Sequence, residues 1–222
     1  MYGEDPEFTL ITDTVDGSRL LGAGLSGAYS MAAVTPVTES PTLEDVEIAV
    51  QTELPAPRHT TGEQFLWRKD EGLNSRRFPG SEEFSQVKSG SRSSRDTELM
   101  SYVPPFQGPS PVADQVQAAV EPQLEPELTP DLRNSSGGQL ANVALGLYGF
   151  VVDARPLEGE IREKPVVRTA KPYDVCTYRA FASQEARFYS ILPYKGSYKL
   201  QEGIPAPLDI ETPVGWIGYA SK

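Results

Sequence analysis

The stretch Phe8-Thr9-Leu10-Ile11-Thr12-Asp13-Thr14-Val15-Asp16-Gly17-Ser18 constrains this chain more than any other. Phe8 to Thr12 alternates and is rich in β-branched residues, which reads as a short strand. The strand ends in Asp13, and Asp16 follows one turn later. Gly17 then lets the backbone bend, and Ser18 adds a hydroxyl. Two carboxylates thus leave one strand end together, with the Val15 carbonyl between them. Hard oxygen donors of this kind suit Mg²⁺, which keeps water and substrate phosphate as its other ligands. The Gly17 and Ser18 amides come next, and successive N–H groups in a turn form a nest for an anion. The plainer reading is an Asp-rich turn capping its own backbone.

Spacing excludes two other acidic motifs. A haloacid-dehalogenase phosphatase carries Asp-x-Asp, whereas Asp13 and Asp16 are three apart. An EF-hand loop needs oxygen ligands at alternate positions before its glycine, and Val15 breaks that series.

The 222 residues suffice for one sizeable domain or two small ones. A net charge of −11 argues against non-specific binding to nucleic acid or to an anionic membrane. An acidic enzyme acting on anionic phosphates needs a local remedy, and bound cations provide one. No apolar run reaches transmembrane length, and the acidic start Met1-Tyr2-Gly3-Glu4-Asp5-Pro6-Glu7 is unlike a signal peptide, so the expected location is cytoplasmic. The single cysteine, Cys176, excludes an intramolecular disulfide and a cysteine zinc cluster. The single histidine, His59, lies in a Pro-rich loop and reads as a surface residue. Catalytic triads and histidine metal sites need a placed imidazole. Chemistry here falls to carboxylates, hydroxyls and metal.

Along the chain, Arg19 to Gly27 reads as a glycine-rich loop without the Gly-Lys-Ser/Thr of a P-loop. Ala28 to Thr35 reads as a buried strand ended by Pro36, and Val46 to Thr52 and Gln64 to Arg68 as further strands. Asp70 to Asn74 supplies a turn. Residues 79–130 are the loosest part, with a polar loop at Ser89 to Arg95 and a short strand from Leu99 to Val103. A helix from Pro111 to Val120 and an acidic connection to Pro130 follow. The turn Ser136-Gly137-Gly138 precedes a helix with Leu140, Val143, Ala144 and Leu147 on one face, ended by Gly149, and then a strand from Phe150 to Asp153. Asp174, in Lys171-Pro172-Tyr173-Asp174-Val175-Cys176, stands where a helix begins, with Val175, Tyr178 and Ala182 inward. Alone, it reads as an N-cap. Arg187 to Leu192 and Trp216 to Ala220 are the last strands, flanking a loop from Pro205 to Val214.

Three stretches together, Asp13-Thr14-Val15-Asp16-Gly17-Ser18, Ser136-Gly137-Gly138 and Lys171-Pro172-Tyr173-Asp174, resemble in order and separation the signature of the inositol monophosphatase and fructose-1,6-bisphosphatase superfamily. The loop from Gly22 to Gly27 is closer to its archaeal-type branch. Thr14 stands where the family has Pro, and Tyr173 where it has Trp. The resemblance implies a layered α/β fold of alternating helices and sheets over residues 1–222. The first sheet and metal motif would lie in 1–78, the loose segment in 79–130 and a C-terminal α/β part in 131–222. It implies a Mg²⁺-dependent phosphomonoesterase acting on a sugar or polyol phosphate, a small-molecule partner, and leaves a homodimer open. By carry-over, Asp13, Asp16 and Asp174 are metal ligands through carboxylates and Val15 through its carbonyl. Gly17 and Ser18 hold the phosphate, Ser18 and Asp16 act in catalysis, and Gly137 and Gly138 line the substrate. The family's helical N-terminal segment, which carries a metal-binding Glu and a water-activating Asp, has no match here. Glu4 and Glu7 are the nearest acids, and Asp153 is nearest to a substrate-contacting Glu. The alternative is a relative that binds metal or phosphate without turnover.

Overall fold

The computed structural model describes residues 6–87, 100–103, 128–131, 135–157, 169–194 and 197–220, together with 114, 115 and 118. Six strands follow one another in an antiparallel meander: β1 (Phe8–Asp16), β2 (Tyr29–Pro36), β3 (Ile48–Glu53), β4 (Gly62–Arg68), β5 (Gly72–Phe78) and β6 (Ser85–Gln86). Alternation sends Ile11, Met31, Ala33, Ala49, Phe65 and Trp67 to one buried face.

A second sheet has the order β11-β10-β12-β9-β7-β8. Its strands are β7 (Met100–Tyr102), β8 (Leu128–Pro130), β9 (Phe150–Asp153), β10 (Ala186–Tyr194), β11 (Ser197–Glu202) and β12 (Trp216–Ala220). Strand β7 runs parallel to β8 and β9, and the other pairs are antiparallel.

The helices are α1 (Ser18–Gly22), α2 (Ser136–Ala144) and α3 (Tyr178–Ala182), with 3₁₀ turns at Leu43–Asp45 and Pro172–Val175. One hydrophobic core joins Phe65 and Trp67 of the first sheet, Leu140 and Val143 of α2, Phe181 of α3, and Val151, Phe188 and Trp216 of the second sheet. Phe181 meets Phe65 edge-on at 5.4 Å. Helices therefore fill the space between two sheets, the layered α/β arrangement expected from the sequence.

Several local expectations are corrected. The strand carrying the aspartates continues through Asp16 rather than ending at Asp13. The segment after it opens as α1, not as loop. Gly72 to Asn74 starts β5 instead of remaining a turn, and Leu128–Pro130 is a strand within the expected connection. Helix α2 begins at Ser136 and its chain turns at Gly146 (φ 69°) rather than at Gly149. Leu147 is half exposed, and Ala182 is exposed while Phe181 takes the inward place. The Ser89 to Arg95 loop lies outside the described residues. Of the Pro111 to Val120 helix only 114, 115 and 118 lie within them, and those are helical.

Candidate metal centre

In a regular strand, residues three apart face opposite sides of the sheet. Asp13 and Asp16 do not, because β1 is irregular between them. Asp13 pairs with Met31 and Asp16 with Tyr29, so three steps on β1 oppose two on β2. This bulge turns both carboxylates the same way, a common device where a strand must aim side chains at a site. The Thr12 hydroxyl donates to Met31 O at 2.8 Å beside the bulge.

Asp174 arrives from the other half of the chain. Its 3₁₀ turn starts at Pro172, where a fixed φ favours a first helical position. It is not the N-cap suggested by sequence. The N-cap is Lys171; Asp174 sits three residues later, and its Oδ2 accepts the Lys171 N–H at 2.7 Å. Asp13, Asp16 and Asp174 thereby bring one carboxylate oxygen each to within 4.8 Å of one another.

A backbone amide tethers each of the three. Val15 N–H donates to Asp13 Oδ1 at 3.0 Å, Gly137 N–H to Asp16 Oδ2 at 2.8 Å, and Lys171 N–H to Asp174 Oδ2. Burial pushes the Asp16 carboxyl up to about 7, and the charge of Asp13 adds to this, against the Gly137 N–H, the Ser135 hydroxyl and Arg155. Burial pushes Asp174 up to about 8, with the charge of Asp16 the next cause. Three acids crowded in a partly dry place favour a proton or a cation. The donor set is all oxygen, which fits a hard divalent ion such as Mg²⁺, Mn²⁺ or Ca²⁺ and not a soft one.

The remaining sequence candidates gather nearby to differing degrees. Gly17 is the N-cap of α1, at φ 80°, a conformation that suits glycine. A Cβ there would lie 3.2 Å from Ser135 Cβ, so the loop after β1 touches the start of α2. Leu20 and Leu21 N–H close onto Gly17 O, and Ser18 is exposed at the first turn. Val15 is 38% exposed. Gly137 and Gly138 are buried inside the first turn of α2, whose N-cap Ser135 hydroxyl accepts the Gly138 N–H at 2.9 Å. A Cβ on Gly137 would collide with Met31 Sδ, and one on Gly138 would come within 2.9 Å of the Tyr29 ring. Glycine there lets α2 approach the first sheet.

The other candidates do not join the cluster. Glu7 is exposed at the start of β1, six residues and therefore about 20 Å from Asp13. Glu4 is outside the described residues. Asp153 is fully buried and held by Arg155 through Nε at 2.8 Å and Nη2 at 2.6 Å, so its carboxylate is committed to an ion pair. Cys176 is buried, and burial pushes its thiol up, as suits an inert core residue. His59 is exposed, as expected. It lines a cleft of about 670 Å³ with Leu20, Leu25, Arg58, Asp131 and Tyr148 that does not include the three aspartates.

Sequence reasoning missed Gln51. It is 1% exposed on the inner face of β3, donates through Nε2 to Gly137 O at 2.8 Å and accepts the Thr177 hydroxyl at 2.6 Å. A polar side chain on a core-facing strand position was the available clue.

Solved structures share this fold. A Pyrococcus horikoshii protein described as having similarities to inositol-1 monophosphatase superposes with a TM-score of 0.57 at 16% identity, covering 97% of this chain and 66% of its own. A staphylococcal inositol monophosphatase solved with its products gives 0.57 at 13% identity, with 99% and 66% covered. The fold is that of the inositol monophosphatases. Mycobacterium tuberculosis SuhB agrees, with a TM-score of 0.57 at 11% identity over 98% of this chain and 69% of its own. This chain thus spans about two thirds of the length of the inositol monophosphatase-like structures it matches. No protein-family model and no curated protein matches the sequence.

Proposed function

We propose that the protein is a Mg²⁺-dependent phosphomonoesterase acting on a small sugar or polyol phosphate. The observation that carries this reading is the convergence of Asp13, Asp16 and Asp174 within 4.8 Å on an inositol monophosphatase fold. One neighbour of that fold is described as an inositol monophosphatase/NADP phosphatase complexed with Mg²⁺ and phosphate, and another as Ca-bound.

On this reading the three carboxylates and the Val15 carbonyl hold the ion. Bound there, the ion would polarise the phosphoryl group and acidify a water ligand. Gly17 and Ser18 receive the phosphate through backbone amides, and the Ser18 hydroxyl orients the attacking water with the Asp16 carboxylate. A water oxygen bonds to phosphorus, the ester P–O bond breaks, and the alcohol leaves with a proton. The walls at Gly137 and Gly138 border the alcohol. The backbone tethers on all three aspartates keep reorganisation small as charge develops. No helix among the described residues is long and apolar enough to cross a membrane.

A second reading has one observation in its favour. The described residues gather three acids and no fourth, Glu7 being at the far end of β1. A relative that binds metal or phosphate without turnover would look the same. Phosphate release from inositol 1-phosphate and a panel of sugar phosphates, with and without Mg²⁺, separates the two. Mg²⁺-dependent release that Asp16→Asn abolishes supports the enzyme. Mg²⁺ binding without release supports the silent relative.

A further inference from the structure

We infer that Gln51 is a positioning residue of the carboxylate cluster, fixing Asp16 and the Asp174 segment against each other through one buried hydrogen-bond chain. The inference rests on the reading that this cluster holds a divalent cation. The chain runs in a single direction. The Thr177 hydroxyl donates to Gln51 Oε1 at 2.6 Å, Gln51 Nε2 donates to Gly137 O at 2.8 Å, and Gly137 N–H donates to Asp16 Oδ2 at 2.8 Å. Gln51 and Thr177 are 1% and 0% exposed, so no bulk water competes for these bonds. The Thr177 and Gln51 bonds share one conjugated amide, and in a dry interior they strengthen one another.

Each link lies where a ligand is set. Packing denies Gly137 a side chain, because a Cβ would strike Met31 Sδ and approach Gln51 Oε1 at 3.2 Å. The Gln51 amide takes the carbonyl of the residue whose N–H orients Asp16, so the two bonds hold Gly137 through its two flanking peptide units. Thr177 stands three residues beyond Asp174, where the 3₁₀ turn passes into α3. Gln51 is thus the point at which β3, the start of α2 and the Asp174 segment meet. A buried amide loses water contacts and rotamer freedom, and an apolar side chain of the same size would fill the space at less cost. Both ends of this amide are instead matched to polar partners that lead to the site.

The test is Mg²⁺ titration calorimetry on the full chain and on Gln51→Met, Thr177→Val, Thr177→Ser and the Gln51→Met/Thr177→Val double variant. Metal-free melting by circular dichroism runs alongside. Partners behind metal ligands typically set affinity by about 10- to 100-fold. Gln51→Met and Thr177→Val should each weaken Mg²⁺ binding about tenfold, and the double variant should lose little more than either, because both cut one chain. Thr177→Ser keeps the hydroxyl and should retain affinity even though its lost methyl lowers the melting temperature. A merely structural Thr177 would show the reverse order, with Val the milder change. Unaltered affinity in folded Gln51→Met and Thr177→Val overturns the inference while leaving the metal site standing. Absence of Mg²⁺ binding in the unsubstituted protein overturns both. If Gln51→Met fails to fold, the Val and Ser variants at 177 decide alone.

Discussion

Replacing Asp16 by Asn should make the metal-free protein more stable at alkaline pH while removing its response to Mg²⁺. The folded Asp16 carboxyl titrates at about 7 rather than at 3.8, chiefly because it is buried. Its neutral form is the one the fold favours. That preference is fully present below 3.8 and is lost as pH rises through about 7, so metal-free stability falls over that window. A shift of about three units corresponds to at most about 4 kcal/mol. Local relaxation and entering water reduce such ceilings two- to threefold, leaving about 1.5 kcal/mol. Asn keeps the shape and an oxygen for the Gly137 N–H but never ionises. At about pH 8.5 in a chelator, Asp16→Asn should melt about 3–6 °C above the unsubstituted protein, and at about pH 3.5 the two should nearly coincide. Adding Mg²⁺ should raise the melting temperature of the unsubstituted protein and leave the variant unmoved. Scanning fluorimetry across pH, with chelator and then with Mg²⁺, reads all four conditions. A metal-free variant no more stable than its parent at about pH 8.5 would refute the electrostatic reasoning.

Arg155→Gln should destabilise the fold by about 3–5 kcal/mol, seen as a lower urea midpoint, because it strands the fully buried Asp153 carboxylate. Gly137→Ala should cost about 1–3 kcal/mol in the same assay and weaken Mg²⁺ binding, since the added methyl group pushes α2 off Met31 and shifts the N–H that holds Asp16. Cys176 should resist a thiol reagent in the native protein and react fully in denaturant. Fast labelling of the native chain would contradict its burial.

The sequence shows the site more readily than its supports. Asp13 and Asp16 stand out because two carboxylates and a glycine leave one strand together, yet plain alternation would send them to opposite faces. The bulge that unites them leaves no trace in hydrophobic periodicity. Strand β3 alternates, but the set facing the core is Ala49 and Gln51, while the larger Ile48 is 37% exposed. A pattern read by hydrophobicity alone gives the strand and not its phase. Strand β5 escapes because Leu73 is its one deeply buried residue and the polar Asn74, Ser75, Arg76 and Arg77 follow, as an antiparallel sheet with a solvated face allows. The edge strand β11 is similar, with Leu200 57% exposed. Helix α2 runs straight through Gly137 and Gly138, which read as a turn by propensity, because the close approach to Met31 and Tyr29 rewards the lack of a Cβ.

The most direct measurement of the central claim is anomalous diffraction from crystals soaked in Mn²⁺, a hard divalent ion with accessible anomalous scattering. A peak bounded by the carboxylate oxygens of Asp13, Asp16 and Asp174 is expected, abolished in Asp16→Asn crystals. Well-diffracting soaked crystals with no peak there, or with a peak that survives the substitution unchanged, would contradict it.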